Sequence, residues 1–204
     1  MKKFTRYSFL AFSLLIAGFV SGQSYFLITY DMAVPLGNTK DFIPKFNTRG
    51  FGVEAGGRFT DHISAGVGFA WNGFYQELDY NVYGPEDGLP DELTMWTQAW
   101  KYITVYPFYG SFKYYLYTRS GVELYAGAIL GTSLISQVTD YGVYSQVSKN
   151  WHLTLAPEAG IHYWLHKNIG VTFNSRFMWS PAAGETDTQT YLGFNVGLIA
   201  TSQR

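Results

Sequence analysis

Between Phe51 and Trp71 the chain alternates strictly. Phe51, Val53, Ala55 and Phe59 share one parity, with Gly52, Glu54, Gly56 and Arg58 on the other. After Thr60-Asp61-His62 the alternation resumes, with Ala65, Val67, Phe69 and Trp71 against Ser64, Gly66, Gly68 and Ala70. Period two predicts strands, and the polar triplet predicts a tight turn between them. The same grammar runs on from Gln23. Strands are predicted over 25–34, within the hairpin 51–71, and over 100–116, 122–136, 151–165, 169–179 and 189–201. The connections alternate in length. Those at 35–49, 76–98, 137–150 and 180–188 are long, and those at 60–62, 118–121 and 166–168 are short. Most of these strands exceed the five or six residues typical of globular sheets, and they match the roughly nine to eleven that a tilted strand needs to cross a bilayer.

The two parities differ in kind. One collects Phe26, Ile28, Val67, Phe69, Phe112, Leu130, Leu153, Phe173, Phe194 and Leu198 without a charge. The other holds Asp31, Glu54, Arg58, Lys113, Glu123, Glu158, His162 and Arg176 among Gly, Ser, Thr and Asn. A soluble lipocalin-like barrel has the same period with its apolar face inward, but its outer face must then solvate the protein. The polar face here is too rich in glycine and too poor in Lys and Glu for that task. Small residues suit the crowded lumen of a narrow barrel, so the apolar parity faces lipid. The eight polar residues named are expected to form a lumen network. Arg58 at the lipid midplane would cost about 2–4 kcal/mol, and inside it can meet a carboxylate. Pro107 and Pro157 fall within strands. In a closed barrel each is expected at a bulge or an irregular hydrogen bond. Aromatics are expected as interfacial belts: Trp71, Phe74, Tyr75, Trp100, Tyr102, Trp151 and Trp179 at the long-loop end, and Tyr114, Tyr115, Tyr117, Tyr163 and Trp164 at the short-turn end.

Composition sharpens this. Charged residues are 14% of the 204, well under the quarter usual for soluble domains, while aromatics reach 19%. Cysteine is absent, which excludes disulfides and thiolate metal sites. The opening "MKKFTRYSFLAFSLLIAGFVSGQ" has a basic start, an apolar core and small residues before Gln23. This predicts a signal peptide over 1–22 and a barrel domain over 23–204. Without Lys2, Lys3 and Arg6 the 14 basic residues fall to 11 against 15 acidic ones, a net charge of −4, which excludes nucleic acid as a partner.

With "YFLITYDMAVPLGN" at its start, Gly-rich second and third strands and "SFKYYLY" before a tight turn, the chain resembles OmpA/OmpX-type outer-membrane β-barrel domains. The resemblance covers Gln23 to Arg204 and is one of pattern. It implies an all-β fold: an eight-stranded antiparallel up-and-down transmembrane β-barrel in a Gram-negative outer membrane, surrounded by outer-membrane lipid and lipopolysaccharide. Such barrels often end on an aromatic residue read by the assembly machinery, whereas this chain ends "LIATSQR".

Candidate chemistry is sparse. His62 and Ser64 lie two apart at a short turn, the end remote from the outer leaflet. His162 and His166 are four apart, about 13 Å on an extended chain and too far for one metal. Glu54, Glu123 and Glu158 form an acidic set, but Arg58, Lys113 and Arg176 are available to pair with it. The connection 76–98 carries Glu77, Asp79, Glu86, Asp87, Asp91 and Glu92 without calcium-ligand spacing, which reads as a solvated outer loop. No cofactor or metal site is predicted, and the sequence sets no oligomeric state. The reading is a non-enzymatic structural or surface-interaction barrel. An extracellular protein partner is expected through loop 76–98, which the strands can close without. The alternative is a narrow pore or a lipid-modifying enzyme.

Overall fold

A computed structural model describes residues 23–119, 121–184 and 186–202. The expected signal peptide over 1–22 lies outside the described residues. The elements are β1 (Gln23–Leu36), α1 (Gly37–Phe42), β2 (Gly50–Arg58), β3 (Ile63–Glu77), β4 (Asn81–Tyr83), β5 (Met95–Thr97), β6 (Trp100–Arg119), β7 (Val122–Asp140), β8 (Ser145–Trp164), β9 (Ile169–Ser180) and β10 (Gln189–Thr201). Eight of these close a barrel in the order β1-β10-β9-β8-β7-β6-β3-β2, and β4 and β5 form a separate two-stranded hairpin. Every barrel pairing is antiparallel. The last strand closes on the first from Tyr25 opposite Thr201 to Leu36 opposite Thr190. Closure leaves no unpaired edge, the condition for strands to cross hydrocarbon.

Alternation decides the faces. Phe26, Ile28, Val67, Phe112, Leu130, Leu153, Phe173 and Leu198 are exposed on the outer surface, while Leu27, Thr29, Asp31, Glu54 and Lys113 are buried inside. Both prolines interrupt one ladder without shifting it. The pairing of β3 with β6 lapses between Phe69–Phe108 and Asn72–Val105, across Pro107. That of β8 with β9 lapses between Leu155–Trp179 and Glu158–Arg176, across Pro157. A bulge does occur, but elsewhere, between Tyr115 and Tyr117.

Two expectations change. The connection expected over 137–150 is mostly strand: β7 runs on to Asp140 and β8 begins at Ser145. The alternation continues through Val138 and Val147, and the chain turns at Gly142, whose φ of 86° requires glycine. The belts are also thinner than expected. Trp151, Trp179, Tyr114 and Tyr163 do face outward, but Phe74, Tyr115 and Trp164 are buried inside. Each of these three has the inward parity of its own strand, which outweighs its chemical suitability for the interface.

Candidate functional site

Four charged side chains meet inside the barrel. Glu54 comes from β2, Lys113 from β6, Glu158 from β8 and Arg176 from β9. Glu54 Oε1 accepts from the Lys113 ammonium, from Tyr25 Oη at 2.8 Å and from Ser111 Oγ at 2.9 Å, and Glu54 Oε2 accepts from Arg176 Nη2 at 3.2 Å. Arg176 Nε donates to Glu158 Oε2 at 2.8 Å, and Lys113 Nζ lies 3.8 Å from Glu158 Oε1. The result is a closed ring of two acids and two bases, with both carboxylates 0% exposed. Charges this deep hold their ionised forms only when paired and hydrogen-bonded, and the ring supplies both conditions.

Tyrosines brace the ring and glycines make room for them. Tyr109 Oη accepts from Arg176 Nη1 at 3.1 Å. A Cβ on Gly68 would come within 2.5 Å of the Tyr109 ring, and one on Gly56 within 2.4 Å of the Tyr25 ring. Gly56 and Gly68 are therefore seats for inward tyrosines. A second ion pair lies nearer the short turns. Arg58 donates through Nη1 and Nη2 to the two Glu123 oxygens at 3.1 and 2.8 Å and stacks over Tyr115 at 3.9 Å. His162 is buried, with Nδ1 2.9 Å from Thr172 Oγ1. Asp31 is buried beyond the ring, where it lines a small space with Asn72, Tyr191 and Asn195.

All eight residues singled out in the sequence thus lie within the barrel wall. Six join the two ion-pair groups, and Asp31 and His162 stand apart from them. Tyr25, Tyr109, Ser111 and Tyr115 were missed. Parity could have found them: Tyr25 shares it with Asp31, and Tyr109, Ser111 and Tyr115 share it with Lys113.

Into the outer mouth packs a segment that alternation cannot reveal. α1 tips inward, Thr39 Oγ1 donates to Gln189 Oε1 at 3.0 Å, and Ile43 is fully buried with Phe74, Ile103 and Ile135. Loop 76–98 folds as the β4–β5 hairpin. One of its faces packs Tyr83 and Leu89 onto Ala99 and Tyr141, and Tyr141 Oη donates to the Asp87 carbonyl at 2.5 Å. Burial pushes the Tyr83 and Tyr141 phenols above their ordinary range. The other face exposes Tyr80, Val82 and Trp96, with the Tyr80 and Trp96 rings 5.2 Å apart. The six carboxylates from Glu77 to Glu92 are all exposed.

No catalytic pair assembles from the candidates. His62 Nδ1 lies 3.1 Å from the Tyr115 carbonyl oxygen, and Ser64 Oγ donates to Tyr115 Oη at 3.4 Å. Each is thus engaged with Tyr115. Among the described residues no cluster of three His, Asp or Glu side chains is placed to hold a metal.

Comparison with known proteins gives a fold and no sequence relative. No protein-family model matches, and no curated protein matches. Among solved structures, Neisserial surface protein A is 17% identical, with a TM-score of 0.58 over 88% of this chain and 99% of its own. Ail, the attachment invasion locus protein of Yersinia pestis, is 14% identical, with a TM-score of 0.55 over 88% and 98%. A further Ail structure holds the heparin analogue sucrose octasulfate, with a TM-score of 0.51 at 14% identity over 88% of this chain and 98% of its own. OprG of Pseudomonas aeruginosa is 13% identical, with a TM-score of 0.53 over 90% and 97%. A closed ring of eight antiparallel strands with an apolar outer wall is the architecture that the chain shares with these outer-membrane proteins, so its fold is that of an OmpA/OmpX-like eight-stranded transmembrane β-barrel.

Proposed function

We propose that this barrel is a non-enzymatic surface-interaction protein that engages an extracellular protein partner through the β4–β5 hairpin. The observation that carries this reading is the hairpin's divided character. Its inner face is anchored on Tyr141, so the outer face is held in place without being covered. That outer face offers Tyr80, Val82 and Trp96 in a loop that also exposes six carboxylates, with no Lys or Arg between Gln76 and Gln98. Exposed aromatics within an acidic field fit a basic partner, whose Lys and Arg side chains gain both ion pairs and cation–π contacts. The sulfated ligand held by Ail has the opposite sign, so this loop is matched to a different chemistry. The ring of Glu54, Lys113, Glu158 and Arg176 supports a sealed lumen, with strand residues committed to lipid or to packing and recognition left to the loops.

The test keeps the anchor and removes the contact face. The variant Tyr80→Ser/Val82→Ser/Trp96→Ser, in nanodiscs, is compared with wild type for binding to immobilised basic and acidic extracellular proteins. Wild type binds the basic set, the variant loses that binding, and both keep their heat-modifiable migration in SDS. Equal binding by the variant refutes the proposal. Steady single-channel conductance favours the pore reading, and an altered lipid A mass in expressing cells favours the enzyme reading.

A further inference from the structure

The basic residues of the outer end are placed differently from the acidic ones. Arg49 continues the β2 line: Gly73 N donates to the Arg49 carbonyl at 2.9 Å, one step beyond the pairing of Gly50 with Asn72. Arg49 therefore shares parity with Phe51 and Val53, the side that faces lipid. Its guanidinium lies over the Tyr75 ring, 5.0 Å from the centroid, just outward of the Phe51–Trp71 pair. The segment leading to it is pinned. Asn47 exchanges two backbone hydrogen bonds with Ala33, at 2.9 and 2.8 Å, its Oδ1 accepts from Arg49 N at 2.8 Å, and Tyr30 Oη donates to the Thr48 carbonyl. Lys45, Phe46, Thr48, Arg49, Gly73 and Tyr75 line one open cleft, and no carboxylate lines it. Lys45 and Arg49 are exposed, and neither makes an ion pair among the described residues.

The geometry points to a binding site for the phosphate of an anionic lipid headgroup in the outer leaflet. A cation on the lipid-facing side, directly above an aromatic girdle, sits at headgroup depth. Guanidinium is the side chain best matched to a phosphate, since its planar donors can bind two oxygens together, and stacking on Tyr75 limits its freedom before the ligand arrives. Lys45 adds a second positive charge from the loop. Gly73 leaves the floor of the cleft open where any larger residue would crowd Trp71, whose ring a Cβ there would meet at 2.9 Å. Acyl chains of the same lipid would then lie along Phe51, Phe69 and Trp71. The site is separate from the acidic hairpin, so it stands or falls without the protein-partner reading.

The full-length barrel in zwitterionic micelles is titrated with dimyristoyl phosphatidic acid, with dimyristoylglycerol and with inorganic phosphate, and bound adducts are read by native mass spectrometry. Phosphatidic acid is retained. Lys45→Ala/Arg49→Ala weakens retention roughly tenfold to thirtyfold, the loss expected for two cations near an anionic surface. Arg49→Lys recovers part of it, and Lys167→Ala, in a short turn at the opposite end, changes nothing. Heat-modifiable migration reports folding, and if the double variant fails to fold, Lys45→Gln alone is read for a weakening of roughly threefold to fivefold. Dimyristoylglycerol bound as well as phosphatidic acid, or variants retaining the lipid like wild type, overturns the proposal. Inorganic phosphate bound as tightly as the lipid shows a site for soluble anions and overturns the lipid assignment.

Discussion

Replacing Glu54 with Gln tests whether the charged ring holds the barrel together. Glu54 is 0% exposed and accepts from four donors: Tyr25, Ser111, Lys113 and Arg176. Gln keeps the volume and one acceptor but removes the charge. Its new amide N–H groups are forced toward Arg176 Nη2 or Lys113 Nζ, which are donors themselves. The ring goes from two acids and two bases to one acid and two bases, stranding a positive charge that water does not reach. Breaking a buried pair in this way costs about 3–5 kcal/mol. Arg58→Ala is the comparison. Its side chain is 16% exposed, so Glu123 lies beside a path to water at the short-turn end, and the loss falls at the low end, about 3 kcal/mol. The assay is reversible urea unfolding in lipid vesicles, followed by tryptophan fluorescence and by the fraction running as folded barrel in SDS. Adding Lys113→Met to Glu54→Gln restores charge balance, so the double variant is more stable than Glu54→Gln alone, as a double-mutant cycle reads directly. A Glu54→Gln effect within about 0.5 kcal/mol, the level of a surface substitution, refutes the reasoning.

Three further outcomes follow from the same structure. Gly68→Ala places a methyl group 2.5 Å from the Tyr109 ring and costs about 1–3 kcal/mol, whereas Gly110→Ala on the lipid face, with nothing nearer than 3.8 Å, is neutral in the same urea assay; equal costs refute the seat. The folded-state values of Tyr83 and Tyr141 are raised above the ordinary 10.0, so their contribution to anchoring the hairpin is fully present below about pH 10 and lost as pH rises through the folded values. Protease cleavage within 76–98 therefore accelerates above about pH 10, and a flat rate from about pH 8 to about pH 11 removes the anchor argument. The chain recovered from the outer membrane begins at Gln23 by N-terminal sequencing, and an intact Met1 refutes the signal-peptide reading.

The barrel was legible because one rule, period two, acts on every residue of every strand, and lipid outside and packing inside punish each exception. Hence parity alone separates Phe26 from Tyr25, and Phe112 from Lys113. Where sorting relied on chemical type instead of parity it failed. Phe74, Tyr115 and Trp164 read as belt aromatics, yet their strands turn them inward. The loops were less legible because their packing depends on tertiary contacts. Nothing local in "GNTKDFI" announces that Thr39 meets Gln189 or that Ile43 fills the mouth. The tip at Gly142 was hidden because Asp140, Ser145 and Gln146 look like loop residues, although they sit in a hairpin standing clear of the membrane, where polar side chains on both faces are tolerated.

The position of the ring around the barrel bears on what the barrel can do. Backbone ladders join only neighbouring strands, yet β2 and β8 stand opposite each other in the closed order. Glu54 on β2 and Glu158 on β8 are both bound by Arg176 and Lys113, so the ring ties the wall across its diameter. A wall braced in this way resists the flattening that would open a water path. Part of the polar lining of the outer half is paired within itself. Thr154 Oγ1 lies 2.6 Å from Ser133 Oγ and 2.8 Å from Ser180 Oγ, and His152 Nδ1 lies 2.9 Å from the Pro181 carbonyl oxygen, all buried. These three hydroxyls are hydrogen-bonded to one another, which packs them into the wall. Under the two proposals recognition falls outside the wall, with acid and aromatics on the hairpin and base and aromatics at the β2 rim. A cylinder braced across its diameter is the support on which two such oppositely charged surfaces keep their separation.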